Sequence, residues 1–122
     1  MAYTFYVKNK STDTLSYSVT IDIKSVIKDI DEAIRIAMYR NGEKEVFAKR
    51  TPTGDIEIGT TPFETNTKVM NKLFDGFEPD AVDKYTVVIW LEGDDPECLN
   101  NLIGGEIKMV MTLGENTLKY ER

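Results

Sequence analysis

Histidine is absent from this sequence of 122 residues, and only one cysteine is present. Without an imidazole the chain cannot form a Ser-His-Asp triad, a histidine general base or an HExxH zinc site. The single Cys98 excludes a disulfide within the chain and a zinc site built from several cysteines. Because Cys98 also lacks a histidine partner that would form its thiolate, we interpret it as a packing residue.

Long apolar runs and an excess of positive charge are absent as well. No segment approaches the roughly 20 apolar residues of a membrane-spanning helix, and the first residues have neither the basic region nor the apolar stretch of a signal peptide. Lysine and arginine number 15 against 21 aspartates and glutamates, which gives a net charge of −6. Phosphate contacts need clustered basic residues. We therefore predict no nucleic-acid partner and no transmembrane segment in this chain.

The sequence does contain short segments in which apolar and polar residues alternate. In residues 15–24 every odd position is apolar and every even position is polar, which is the pattern of a strand with one dry face. Residues 3–8 alternate in a similar way, and the polar segment 9–14 lies between the two. Together these segments predict an antiparallel hairpin.

The middle of the chain predicts a second hairpin. Residues 34–39 alternate and lead into Asn41-Gly42, a pair that tolerates the positive φ angles of a type I′ turn, and residues 45–49 form the return strand. Asp29 and Asp31 are both candidate N-caps of a short helix before this hairpin.

The second half of the chain is less regular. Residues 56–59 predict a short strand at most, and residues 69–74 fit either a short strand or one helical turn. Residues 83–91 are rich in β-branched and aromatic side chains, which predicts a central strand buried on both faces or nearly so, with Trp90 as a core anchor. Residues 106–113 predict the last strand. The predicted core consists of Val19, Ile21, Ile23, Ile36, Val87, Ile89, Trp90, Ile107 and Met109.

These patterns predict an all-β fold for a single domain over residues 1–122. Seven to nine short strands, frequent turn signals and no long helix are typical of an antiparallel β-sandwich, of jelly-roll or immunoglobulin-like type, with minor helical turns. The composition, with 41% hydrophobic and 30% charged residues, is ordinary for a soluble globular domain.

One acidic loop is a candidate metal site. Glu92, Asp94, Asp95 and Glu97 form the densest group of carboxylates, and carboxylates are calcium ligands. Their spacing does not match an EF-hand loop, and a solvated loop with a capped turn is the alternative. We predict that the loop is structural, that no cofactor is required, and that the chain has no catalytic residues.

Several of these segments resemble one family. Residues 3–9 and 15–19 are similar to the F-x-V-x-N…L-x-Y-x-V opening of the camelysin and TasA family, and residues 85–92, 94–98 and 103–107 resemble its late Y-x-V-x-V-W-L-E…D-D…G-G region. The resemblance implies a jelly-roll-like sandwich exported from a Gram-positive bacterium, where some members form fibres of the extracellular matrix. Family members carry a hydrophobic N-terminal segment, which is not found in these 122 residues. The alternatives are a native start at Met1 and the soluble part of a longer exported protein. Camelysin carries a metallopeptidase label, but without histidine this chain offers no such zinc ligands.

The predicted function is therefore that of a non-enzymatic extracellular protein, secreted or anchored at the cell surface, which acts in adhesion or matrix assembly. Its partners would be copies of itself or other cell-surface proteins. We predict that assembly uses the first strand, through Tyr3, Phe5 and Val7. The alternative is that residues 3–8 pair with residues 15–24 of the same chain. Alternative functions are a calcium- or carbohydrate-binding module and, last, a metallopeptidase.

Overall fold

The computed structural model describes residues 2–25, 30–92 and 108–115, which form two packed β-sheets. The larger sheet has the strand order β1-β7-β3-β4-β5 and the smaller one β6-β2-β8. All strand pairs are antiparallel except β4 with β5. The elements are β1 (Ala2–Lys8), β2 (Leu15–Ser25), α1 (Ile30–Ala33), β3 (Ile34–Arg40), β4 (Glu43–Ala48), β5 (Thr61–Pro62), β6 (Lys68–Phe77), β7 (Val82–Leu91) and β8 (Lys108–Glu115).

This architecture confirms the predicted all-β sandwich with minor helical content. The eight described strands fall within the predicted range. No helix in the described part of the chain has the length and apolar character needed to cross a bilayer.

The core lies between the inner faces of the two sheets. Alternation along β2 buries its odd positions, and the strands β3 and β7 of the other sheet supply the facing layer. Six predicted core residues are confirmed as buried: Val19, Ile21, Ile23, Ile36, Val87 and Ile89. Ile107 and the side chain of Met109 lie outside the described residues.

The hairpin of β3 and β4 is confirmed, together with its turn. Asn41 and Gly42 have φ angles of 51° and 87°, the left-handed conformation that a type I′ turn requires at both positions. The side chain of Asn41 also fastens the turn to the next strand, because its Oδ1 accepts a hydrogen bond from the Lys84 N–H at 2.8 Å.

The predicted hairpin of residues 3–8 with residues 15–24 is wrong. β1 pairs with β7 in the larger sheet, whereas β2 pairs with β6 and β8 in the smaller one. The chain therefore crosses between the sheets after β1, and the buried Asn9 fixes this crossing. Its Nδ2 donates to the carbonyl oxygens of Asp13 and Phe77, both at 2.8 Å. Alternation determines which face of a strand is buried but not which strand is its partner.

The predicted central strand is confirmed, because β7 lies between β1 and β3, but only one of its faces is fully buried. Its odd positions from Asp83 to Leu91 are buried, whereas the even positions are only half-buried or exposed. Trp90 lies at an even position and is half-buried: it packs against the core but is not, as predicted for a core anchor, one of the buried residues that form it. Two open assignments are decided: residues 69–74 belong to β6, and residues 56–59 form no strand.

Candidate functional site

The outer side of β1 is a free sheet edge in the part of the chain that is described. β1 lies at the end of the larger sheet and pairs with β7 alone, from Ala2 opposite Val88 to Lys8 opposite Val82. No other strand within residues 2–25, 30–92 and 108–115 pairs with it. An edge of this kind presents a row of N–H and C=O groups to another chain.

The register shows which residues carry these groups. The N–H of Asn9, next after β1, donates to the Ala81 carbonyl at 3.1 Å, and the Asn9 carbonyl accepts from the Asp80 N–H at 2.9 Å. Main-chain groups of a strand alternate in direction, so those of Tyr3, Phe5 and Val7 also point to β7. The free edge therefore consists of the main-chain groups of Ala2, Thr4, Tyr6 and Lys8.

The side chains of β1 divide between the two faces of the sheet. Phe5 and Val7 pack partly against the core, and the Phe5 ring stacks on Tyr85 with centroids 5.0 Å apart and an interplanar angle of 10°. Tyr3 shares this inner face but is 43% exposed, and Tyr6 on the outer face is 64% exposed. The predicted assembly residues Tyr3, Phe5 and Val7 therefore share one face; their role in assembly stays a prediction.

Within the described residues, the free edge lacks three of the usual protections against strand pairing. Proteins protect sheet edges with proline, bulges or charged side chains. β1 contains no proline, its register with β7 runs without a shift, and its one charged residue is Lys8 at the end. The middle of the edge, around Thr4 and Tyr6, is therefore open to a further strand.

A polar cluster of buried and partly buried side chains, which sequence analysis missed, joins the two sheets beneath β1. It consists of Tyr17, Arg40, Asn41, Asp83 and Tyr85. The Asp83 carboxylate accepts hydrogen bonds from the Tyr17 hydroxyl, from Arg40 Nη2 at 3.0 Å and from Asn41 Nδ2 at 2.9 Å. The hydroxyls of Tyr17 and Tyr85 lie 2.5 Å apart. Because Tyr17 belongs to β2 and Asp83 to β7, these bonds connect the sheets across the core.

The electrostatics of the polar cluster favour one protonation state. Burial alone would raise the pKa of Asp83, but hydrogen bonds from Tyr17 and Asn41 and the charge of Arg40 outweigh it, so the pKa lies below its ordinary value of 3.8. Burial, together with the hydrogen bond to Asp83, raises the pKa of Tyr17 well above 10.0. A tyrosine held neutral and a carboxylate held ionised are suited to holding the fold together and poorly suited to exchanging protons near pH 7.

Three grooves of the described surface are widely open to solvent. One groove, of about 200 Å³, is lined by residues of both sheets, among them Arg40 and Phe74. The Arg40 guanidinium lies over the Phe74 ring, 4.1 Å from the ring centroid. In the same groove, the Lys72 ammonium is paired with the Glu45 carboxylate. Two others, of about 330 and 300 Å³, lie beside loops. Pockets for drug-sized ligands begin at about 300 Å³ and concentrate a few converging polar groups on an apolar lining.

The predicted calcium loop lies mostly outside the described residues. Glu92 is described, and its carboxylate accepts a hydrogen bond from the Trp90 indole at 3.2 Å. Asp94, Asp95 and Glu97 fall within the range that the structure does not describe. Among the residues that it does describe, no three carboxylates, cysteines or histidines lie close enough together to hold a metal ion.

We predict that calcium leaves the thermal midpoint of unfolding unchanged. A ligand that binds only the folded state raises stability by mass action, so millimolar calcium should shift the midpoint by less than about 1 °C if the loop binds none. The double variant Asp94→Asn, Asp95→Asn is the control. A rise in the wild type that this variant lacks would contradict the structural interpretation of the loop. Scanning calorimetry with and without calcium makes the measurement.

Comparison of the chain with models of protein families, with curated proteins and with solved structures finds no match to any of them. The resemblance to the camelysin and TasA family stays a prediction, carried by the segments quoted for it. The candidate site is accordingly defined by geometry alone, as the free edge of β1 above the polar cluster.

Proposed function

We propose that this protein is a non-enzymatic assembly module, which binds other protein chains by adding a strand at the free edge of β1. The observation that carries the proposal is the unprotected edge itself, where the main-chain groups around Thr4 and Tyr6 point away from β7. Strand addition takes its affinity from such main-chain hydrogen bonds and its specificity from alternate side chains.

The polar groups of the remaining described surface favour this function over an enzymatic one. Within the polar cluster, Asp83 uses both carboxylate oxygens on internal donors. The Nε of Arg40 is the one buried side-chain nitrogen or oxygen among the described residues that has no hydrogen-bond partner. Like Asp83, Arg35 is bound within the chain, because its guanidinium donates two hydrogen bonds to the Glu57 carboxylate, at 2.9 and 2.6 Å. These charged groups stabilise the sandwich and are not left converging on a substrate.

The place of action belongs to the same proposal. The resemblance implies an extracellular or cell-surface protein, and a fold held by a hydrogen-bonded polar cluster does not depend on a disulfide. The net charge of −6 repels copies of the chain from one another at low ionic strength. Because salt screens this repulsion over about 10 Å at 0.1 M, assembly should increase with ionic strength.

Replacing Tyr6 by proline is expected to abolish assembly without unfolding the protein. The N–H of Tyr6 belongs to the free edge, so proline there costs no bond to β7 but removes a donor that an added strand needs. Light scattering of the purified protein at rising salt should show growth for the wild type and none for Tyr6→Pro. The thermal midpoint should fall by less than about 4 °C.

The matched control is Tyr6→Thr, which also removes the aromatic ring but keeps the N–H and a side chain suited to strands. It should assemble like the wild type. If Tyr6→Pro assembles as well as Tyr6→Thr, the free edge is not the binding surface and the proposed function fails. Deleting residues 1–9 is a poorer test, because it removes Asn9 and the Phe5 ring that covers Tyr85.

A further inference from the structure

We propose that the added strand is β1 of a second copy of this chain, which runs antiparallel to the first about a two-fold axis beside Phe5. The two larger sheets then form one continuous sheet across the dimer. This inference rests on the proposed function, because it names the partner of the same edge. A two-fold pairing is self-complementary and closes at the dimer.

The positions of the free main-chain groups determine the register. They belong to Ala2, Thr4, Tyr6 and Lys8, so hydrogen-bonded pairs form only between even-numbered residues. Placing Thr4 opposite Tyr6 also places Ala2 opposite Lys8, and every N–H and C=O group of the free edge then has a partner. A shift by two residues in either direction leaves groups at the strand ends unpaired, each at a cost when water is excluded.

The same register also brings apolar side chains of the two copies into contact on the inner face of β1. Tyr3 comes opposite Val7 of the second copy, and Phe5 comes opposite its equivalent. Tyr3 is 43% exposed in the single chain, and Phe5 and Val7 are only half-buried. Cross-strand pairs of aromatic and β-branched side chains stabilise antiparallel sheets. A second copy therefore covers apolar surface that a polar foreign strand would leave exposed.

The charges along the edge are compatible with self-pairing. Lys8 is the one charged residue of β1, and this register places it opposite Ala2. Like charges directly opposite one another destabilise a strand pair, and none occur here. The two paired strands therefore add no like-charge repulsion of their own to that from the net charge of the whole molecule, which salt screens.

Cysteine cross-linking tests both the partner and the register. In a Cys98→Ser background, one chain carries Thr4→Cys and a second, with a longer tag, carries Tyr6→Cys. The predicted register brings these positions to a Cα separation of about 5.5 Å, within the range of a disulfide. An oxidised equimolar mixture should give at least about tenfold more mixed dimer than either variant alone gives homodimer, since a disulfide does not span much more than about 7 Å.

Two further variants are controls. Ala2→Cys mixed with Lys8→Cys should also yield the mixed dimer, because this pair belongs to the same register. Thr86→Cys lies on the same outer face, but within the sheet on β7, and should give no dimer with itself or with Thr4→Cys.

The outcomes separate the inference from the proposed function. Homodimers of Thr4→Cys in place of mixed dimers would overturn the proposed register. If no pair cross-links while Tyr6→Pro still abolishes assembly of the purified protein, a surface of the second copy other than its β1 occupies the edge; the inference then fails and the proposed function stands. If Tyr6→Pro leaves assembly intact, the proposed function fails as well.

Discussion

Replacing Asp83 by alanine is expected to lower the free energy of unfolding by about 3 kcal/mol, because removing one partner of a buried ion pair leaves the other charge uncompensated. The variant also leaves the Tyr17 hydroxyl and Asn41 Nδ2 without their acceptor. The Arg40 side chain is 32% exposed and can regain some hydration, so the loss should lie at the lower end of the range for such pairs. Urea unfolding followed by tryptophan fluorescence measures the difference.

Asp22→Ala is the matched control for this variant. Asp22 forms an ion pair with Lys68, in which Lys68 Nζ lies 3.0 Å from Asp22 Oδ1, and both side chains are partly exposed. Pairs of this kind contribute about 0–1 kcal/mol. If Asp83→Ala costs no more than Asp22→Ala, the polar cluster does not hold the sheets together.

A third variant, Asp83→Asn, tests the electrostatic part of the Asp83 contribution through its pH dependence. The pKa of Asp83 is lowered in the folded state, so its contribution to stability is fully present above its ordinary value of 3.8 and is lost as the pH falls through the folded pKa. The difference in stability between wild type and Asp83→Asn should therefore shrink in acid. A difference that stays constant down to about pH 2 would contradict this assignment.

Phe47→Ala is expected to destabilise the protein by about 3–5 kcal/mol, the usual cost of removing a fully buried aromatic ring. Phe47 is 1% exposed and lies between the sheets. Trp90→Ala removes a larger side chain, but one that is half-buried on the outer face, and should cost only about 1–2 kcal/mol in lost apolar burial.

The test is whether Phe47→Ala lowers the free energy of unfolding more than Trp90→Ala does. A tryptophan at the centre of the core would make Trp90→Ala the more costly change, as the sequence-based prediction implied. Calorimetry or urea unfolding of both variants decides between these cases. A loss at Trp90 that equals or exceeds the loss at Phe47 would mean that the outer face of the larger sheet is covered.

The predictions that succeeded depend on local chemistry. The period of two in residues 15–24 required one dry face, and β2 buries that face. Asn41-Gly42 specifies a turn within a few residues, which also fixes the register of β3 with β4. Such signals need no knowledge of distant parts of the chain.

The predictions that failed depend on distant partners. Nothing in the alternation of β1 distinguishes β2 from β7 as its neighbour. In residues 83–91 the period was hidden, because Val88 and Trp90 are apolar although they face outward. The same parity that buries Tyr85 and Val87 also buries Asp83. A carboxylate at an inward position of a strand was the signal that could have revealed the polar cluster.

The pairing of β1 with β7 has a consequence for how the chain folds. β1 and β7 lie far apart in the sequence, although they are neighbours in the sheet. Among the described pairs of strands, only β3 and β4 are joined by a tight turn. Sheets built from such distant pairings fold slowly, over about milliseconds to seconds, because loop closure precedes the contacts that reward it. At about 5–20 residues per second, synthesis leaves β1 without β7 for several seconds. During that time both edges of β1 are open, so the nascent segment can pair with another strand on either side, whereas in the folded protein β7 occupies one of these two edges.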